Sequence, residues 1–265
     1  MSELSISLLG TFHVRCESGP ISEFHSNATR ALLAYLVVDA DRPHERRLLA
    51  DMLWPEELPE RGLLNLRQTL YRLTQALAPA QIPEFLVGGS RYAVQLSPDL
   101  ALDLDVRRFS ALTAGARAHR HRRLAVCGPC LAGLGQAGDL YRGDFLAGFS
   151  ASAPFDAWLL ARRERLRDQA TWALDTLAAH HEQRGEWAAA GARLRRWLEL
   201  EPWREEAHRR LMLALARDGQ RSAALAQYDD CRRILARDLD AAPAPETAAL
   251  AAHSPRCSWL SLIHI

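Results

Sequence analysis

The sequence predicts a mainly α-helical protein with a small α+β region at its N-terminus. Three patterns carry that prediction. Apolar and polar residues alternate in Leu4-Ser-Ile-Ser-Leu-Leu-Gly10 and again from Thr11 to Arg15, a period of two that suits short strands broken at Gly10 and Gly19. Three helical stretches follow, and Phe85 to Leu96 then reads as two strands around Gly88-Gly89-Ser90, a hairpin signal. From Ala101 onward the periodicity is helical almost without interruption. Strands, three helices and a hairpin are the layout of a winged helix-turn-helix, here placed ahead of an all-α array.

The first helix is expected from Asn27 or Ala28 to near Val38, with Ala31, Leu32, Tyr35 and Leu36 on one face. Asp39-Ala-Asp-Arg-Pro43 reads as a turn with a proline stop. Arg46 to Trp54 forms a second short helix carrying Leu48, Leu49 and Leu53, limited by Pro55. The third, Glu60 to Ala78, is the most informative stretch of the chain. At about 100° per residue, Leu66, Leu70, Leu73 and Leu77 fall in a narrow stripe with Leu63 beside it. Gln68, Tyr71 and Gln75 point the opposite way, flanked by Arg61, Asn65 and Arg72 on one side and Arg67 on the other.

Arg, Asn and Gln carry the paired donors and acceptors that read base edges in a major groove. A polar helix face is more often simply solvated; the flanking strands, helices and hairpin are what favour DNA here. Asn65, Gln68 and Arg72 are the candidates for base contacts, and Arg61 and Arg67, to either side, for phosphates. Tyr71 could touch a thymine methyl or a phosphate, or pack at the helix edge. For Arg46 and Arg47, at the start of the preceding helix, a phosphate contact and a plain surface role stay equally open. Thr29 and Arg30 read as a simple helix start.

In the helical half, Gly185 and Gly219 stand 34 residues apart, the tetratricopeptide period. With Pro202 as the closing proline, Leu174, Leu177, Ala178, Ala190, Leu194 and Trp197 take the packing positions. One repeat later the same positions hold His208, Leu211, Met212, Ala224, Tyr228 and Cys231. Small residues allow close helix contact and bulky ones fill the gaps. His208 departs from the usual bulky residue, and no closing proline falls at Ala236, so the second repeat is the weaker of the two.

Composition sets bounds on function. With 265 residues and 48% hydrophobic content, the chain can bury two cores. No signal peptide and no 18-residue apolar run are visible, which predicts a cytoplasmic protein with no membrane partner. Five scattered cysteines do not form a disulfide framework. Residues 1 to 100 hold nine arginines against twelve acidic residues, so non-specific attraction to a phosphate backbone is modest. Between Arg61 and Tyr92, however, Arg61, Arg67, Arg72 and Arg91 face Glu84 alone.

Two constellations invite other chemistry. His119-Arg-His121 followed by Cys127-Gly-Pro-Cys130 supplies four potential zinc ligands. Its order and short separation differ from familiar zinc fingers, and a reduced thiol pair with surface histidines is the favoured reading. No strand-then-helix thioredoxin pattern surrounds the cysteines, which disfavours a redox role. Asp144 and Asp156 could be read as a carboxylate pair, but no nucleophile, base or glycine-rich phosphate loop converges on them. Tyr141-Arg-Gly-Asp-Phe is better read as a turn with Tyr141, Phe145 and Phe149 packing. No Walker-type loop is visible, and the sequence predicts no enzyme and no cofactor, zinc apart.

The segments LLGTFHV, ALLAYL, RRLLADMLWPE and LLNLRQTLYRL with the glycine hairpin resemble the winged-helix domain of the antibiotic-regulatory-protein (SARP) type of bacterial transcriptional activators, which share the OmpR-like fold. Leu104-Asp-Val-Arg-Arg-Phe109, Leu140 to Phe149 and Glu199 to Leu211 resemble their bacterial transcriptional activator domain (BTAD), a helical module related to tetratricopeptide repeats. The resemblance covers about residues 4 to 250. It implies a DNA-binding domain over 1–98, a BTAD over 99–252, and an atypical tail over 253–265 that is disordered or truncated. It also implies a promoter-binding activator whose helical half serves dimerisation, as a homodimer, or a partner contact such as RNA polymerase, with Arg91 on a wing that meets the minor groove or backbone. A solvated turn residue is the equal alternative for Arg91. Two rivals stand beside this reading: a protein-interaction scaffold, and the N-terminal part of a signal-dependent ATPase regulator.

Overall fold

The structure, a computed structural model, describes residues 4–82, 85–87, 92–120 and 124–252. These form two compact units. One comprises the residues up to Leu112 together with Asp139–Arg167; the other comprises Thr113–Gly138 and the residues from Asp168 onward. The sequence-order boundary at residues 98 and 99 is a different partition of the chain.

In the first unit, β1 (Leu4–Ser7) pairs antiparallel with β2 (His13–Cys16), and β2 with β3 (Gly19–Ile21). The turns pivot at Gly10 (φ 109°) and Gly19 (φ 128°), conformations that side chains rarely adopt. Helix α1 (Asn27–Val38) starts at Ser26, whose hydroxyl accepts from the Thr29 N–H at 3.2 Å. It buries Ala31, Leu32, Leu33, Leu36 and Val37. After β4 (His44–Glu45) come α2 (Arg46–Leu53) and α3 (Pro59–Ala76). Strands β5 (Leu86–Val87) and β6 (Ala93–Leu96) pair antiparallel, Leu86 opposite Leu96, and β4 joins the far side of β6. The two strands of the hairpin read from the sequence therefore pair and form the wing, while Gly88, Gly89 and Ser90 lie outside the described residues.

The reading of continuous helix from Ala101 needs correction. Leu102–Leu104 form β7, which lies parallel to β1 and completes a four-stranded sheet in the order β3-β2-β1-β7. Three residues are too few for a period to show, and their partner lies nearly a hundred residues upstream. The strand delivers Asp105, 5% exposed, to the start of α4 (Asp105–Ala118). The Leu8 N–H donates to both carboxylate oxygens and the Leu9 N–H to Oδ2, all at 2.9 Å, while the Val106 N–H donates to Oδ1 at 2.7 Å. Burial pushes the Asp105 carboxyl above its ordinary range, opposed by these three N–H donors.

Beyond α5 (Gly128–Leu140), the chain returns to the first unit. The Gly10 N–H donates to the Asp144 carbonyl, and the Leu146 and Ala147 N–H groups donate to the Leu8 and Gly10 carbonyls. Arg163, on α6 (Ala153–Gln183), donates to the carbonyls of Phe145, Leu146 and Phe149 and so holds the turn. The rings of Tyr35, Phe145 and Phe155 surround Trp158 at centroid distances of 5.1, 5.6 and 5.1 Å. Tyr141 and Phe145 are buried and Phe149 half-buried, as expected for a packed turn. Asp144 pairs with Arg167 and accepts from the Tyr141 hydroxyl; Asp156 accepts from the Ser150 hydroxyl and the Ala151 N–H. The Asp144 carboxylate thus holds the side chains of Tyr141 and Arg167, and the Asp156 carboxylate holds local backbone.

In the second unit, α7 (Trp187–Leu200), α8 (Glu205–Arg217), α9 (Arg221–Leu239) and α10 (Pro245–Ala252) follow the end of α6. The 34-residue repeat is explicit in the backbone. Gly185 and Gly219 take φ 71° and 82°, and the residues after them close the same turn, Glu186 N–H to His181 carbonyl at 2.9 Å and Gln220 N–H to Leu215 carbonyl at 2.8 Å. Leu174, Ala178, Ala190, Leu194, Trp197, Ala207, Leu211, Leu215 and Ala224 form one core. Leu177 belongs instead to a neighbouring cluster with Ala116, Cys130, Leu134 and Ala173, and Tyr228 is only half-buried. His208 is 1% exposed and fully served: Nε2 donates to the Pro202 carbonyl at 2.7 Å, and Nδ1 accepts from the Gln227 amide at 2.6 Å. That accounts for an imidazole where the repeat prefers a bulky apolar residue.

Candidate nucleic-acid interface and histidine–cysteine cluster

Helix α3 buries Gly62, Leu66, Thr69, Leu70, Leu73 and Ala76, and Leu77 is buried just beyond its end. Gly62 has the Ala50 side chain 3.5 Å from where a Cβ would stand, so its lack of a side chain lets α3 lie close to α2. Leu63 is 40% exposed, because the buried face centres on Gly62 and Thr69, the side of the leucine stripe away from Leu63. The opposite face presents Arg61, Arg67, Gln68, Tyr71, Arg72 and Gln75, all exposed, with Asn65 half-buried. Tyr71 is 67% exposed, which removes the reading that it packs at the helix edge.

These side chains are differently committed. Arg61 pairs with Glu57 at 3.2 Å, and Arg47 lies 4.0 Å from Asp51. Such exposed i,i+4 pairs are weak and readily exchanged for a phosphate. Among the described residues, neither Arg67 nor Arg72 has an ion-pair partner. Arg46 is half-buried; its N–H donates to the Tyr92 carbonyl at 2.8 Å, and its buried Nε has no hydrogen-bond partner. Arg46 is thus tied to the wing strand rather than set freely at the surface. Arg91 lies outside the described residues.

Part of the His-x-His and Cys-x-x-Cys constellation converges. Cys127 immediately precedes α5 and Cys130 sits in its first turn, while His119 follows the last residue of α4. His119 Nδ1 lies 3.1 Å from Cys130 Sγ and 3.4 Å from Cys127 Sγ, and all three atoms fall within 4.8 Å of one another. Burial grades from exposed His119 through half-buried Cys127 to buried Cys130. Burial and the adjacent Cys127 push the Cys130 thiol above its ordinary value. His121 lies outside the described residues.

A second histidine group, His180, His181 and Glu186, is already satisfied. Glu186 accepts from Arg184 at 2.5 Å and meets His181 Nδ1 at 2.7 Å, which together hold its carboxyl down to about 2. A groove of about 770 Å³ in the first unit is lined by Ser5, Ser7, His13, Arg15, Arg30 and Arg142 among others, with no paired nucleophile and base. Among the described residues no helix is long and apolar enough to cross a membrane.

Comparison with known proteins agrees with this architecture. Residues 104–253 match the bacterial transcriptional activator domain. The chain is 33% identical over 216 residues to the regulatory protein AfsR of Streptomyces coelicolor, covering 82% of this chain, and 31% identical over 225 residues to AfsR of Streptomyces griseus, covering 83%. It spans about a fifth of the length of these relatives, 20% and 21%. Among solved structures, Mycobacterium tuberculosis EmbR, determined in complex with a low affinity phosphopeptide, aligns with a TM-score of 0.66 at 26% identity over 95% of this chain and 65% of EmbR. The matched family segment includes the turn around Asp144 and the start of α6, which fold with the winged helix. An OmpR-like winged helix followed by a tetratricopeptide-like BTAD is the plan of the SARP-type bacterial transcriptional activators, and the chain belongs to that family.

Proposed function

We propose that the chain binds double-stranded promoter DNA in a sequence-specific way, with α3 in the major groove and the β5–β6 wing at the flank. The supporting observation is the exposed face of α3, which presents Gln68, Tyr71, Arg72 and Arg67 on a helix anchored by its other face, the two arginines having no ion-pair partner among the described residues. In this reading Gln68 and Arg72, with half-buried Asn65, contact base edges; Arg61, Arg67 and Arg47 contact phosphates. Arg46 positions α2 against the wing through its backbone N–H, and its buried Nε is not available to a phosphate. Arg91 is assigned to the wing contact on the family resemblance alone. The activator role, RNA polymerase contact and homodimerisation through the helical half rest on the family too.

Footprinting on the DNA upstream of its own reading frame, at two salt concentrations, tests this reading. A discrete footprint that weakens with salt and is lost in Arg72→Ala is expected. No footprint from folded protein at low salt would refute it. The scaffold reading has its own support: Leu58, Leu63 and Leu64 are exposed near the start of α3, and residues 1–100 are acidic overall. Partner capture that is lost in Leu64→Ser, with no DNA binding, would favour it.

A further inference from the structure

We propose that His119, Cys127 and Cys130 form a zinc site that clips the end of α4 to the start of α5. The argument begins with what one imidazole nitrogen can do. Nδ1 carries either one hydrogen or one lone pair, so as a hydrogen-bonding atom it serves one sulfur well. Here two sulfurs approach the same nitrogen, at 3.1 and 3.4 Å. Tetrahedral zinc, with bonds of about 2.0–2.1 Å to nitrogen and 2.3 Å to sulfur, places neighbouring nitrogen and sulfur ligands about 3.5 Å apart and two sulfurs about 3.8 Å apart. The two observed nitrogen–sulfur distances lie within a few tenths of an ångström of that geometry, and all three ligand atoms fall within 4.8 Å of one another.

The chain is built to hold these atoms in place. The Cys127 N–H donates to the Leu124 carbonyl and the Leu131 N–H to the Cys127 carbonyl, both at 3.0 Å, which fixes the Cys-x-x-Cys turn on a helix start. Cys130 packs with Ala116, Leu134, Ala173 and Leu177, and Cys127 rests against the same cluster. The His119 N–H donates to the Gly115 carbonyl at 3.0 Å, continuing the backbone pattern of α4 by one residue. The site is therefore rigid on its sulfur side and open to solvent on its histidine side, an entry path for a hydrated ion. Two thiolates and one neutral imidazole suit zinc over magnesium or calcium, which prefer oxygen ligands. Three protein ligands leave a fourth position for water. The ion's two charges offset those of the thiolates beside exposed Arg117 and Arg120.

The test uses the full chain, purified under reducing conditions and stripped of metal with a chelator. Titration with Zn²⁺ against a chromophoric chelator should give one zinc per chain, and Co²⁺ should give a thiolate-to-metal charge-transfer absorption. Cys127→Ser, at a half-buried position, is the deciding variant. It should weaken zinc at least tenfold and lower the charge-transfer absorption per bound cobalt, one thiolate remaining, and His119→Ala should weaken zinc likewise. Zinc should raise the melting temperature of the parent and not of Cys127→Ser. Cys16→Ser, away from the cluster, should behave as the parent. Absence of the cobalt band, zinc binding unchanged in Cys127→Ser, or a Cys127–Cys130 disulfide that forms in air and persists in the presence of zinc would each overturn the proposal.

Discussion

Replacing Asp105 with alanine should destabilise the first unit by about 3–5 kcal/mol. The carboxylate accepts from three backbone N–H groups, those of Leu8, Leu9 and Val106, at 2.7–2.9 Å in a nearly dry setting. Each buried donor left without a partner costs about 1–3 kcal/mol. Against this, the variant no longer desolvates a carboxylate, a cost already visible in the upward push on the Asp105 carboxyl. The balance stays strongly unfavourable, because N–H groups pointing into a packed junction of β1, β7 and α4 have no alternative acceptor at hand. Asp105→Asn retains one acceptor oxygen and should lose about 1–2 kcal/mol. Because Leu8 and Leu9 carry the N–H groups that lose their acceptor, amide exchange at these two residues is the sharpest assay, supported by urea unfolding. Unchanged protection at those amides in Asp105→Ala, with an unchanged unfolding midpoint, would refute the reasoning.

Arg67→Ala, in the proposed DNA complex, should weaken binding about equally across sequences and reduce the log–log salt slope by about 1, whereas Arg72→Ala should also relax sequence preference; binding isotherms on matched and mismatched sites separate the two. Stability should fall as pH drops below the ordinary histidine value of 6.5. Burial lowers the pKa of His208 and His44 in the fold, so the unfolded chain takes up protons that the folded one refuses, and above 6.5 neither state gains an advantage. Denaturation midpoints at pH 7.5 and 5.5 check this, and His208→Gln should flatten the slope. Gly185→Ala, forced to φ near 71°, should cost about 1–2 kcal/mol in thermal unfolding. Leu194→Ala, at a fully buried position in the repeat core, should cost about 2–5 kcal/mol.

Helices α1, α2, α3 and the repeat of α7 to α9 are legible in the sequence because each is long enough for a 3.6-residue period to register and each ends at a Gly, Pro or capping residue. The candidate interface is legible for the same reason, since the polar face of α3 is the complement of its leucine stripe. Leu63, beside the stripe, is the residue whose exposure the period leaves open, since only the position of α2 against Gly62 decides which edge of the stripe is covered. The Cys-x-x-Cys motif reads in the sequence as a reduced thiol pair with zinc as the alternative, because its convergence with His119 depends on how α4 ends and α5 begins.

By itself, the sequence determined the local structure of this protein: its helix periods, the 34-residue turn spacing, the wing hairpin and the residue types on the polar face of α3. Those follow from interactions a few residues apart. Tertiary structure decided the three-residue run of the parallel β7 strand, the burial of Asp105 against Leu8 and Leu9, and the return of Asp144 to Ala147 to the edge at Leu8–Gly10. It also decided that Trp158 and Arg163 belong with the winged helix. Each of these pairs residues that are distant in the chain or separated by a whole element, where neither period nor propensity carries information and only packing and hydrogen-bond satisfaction select the partner.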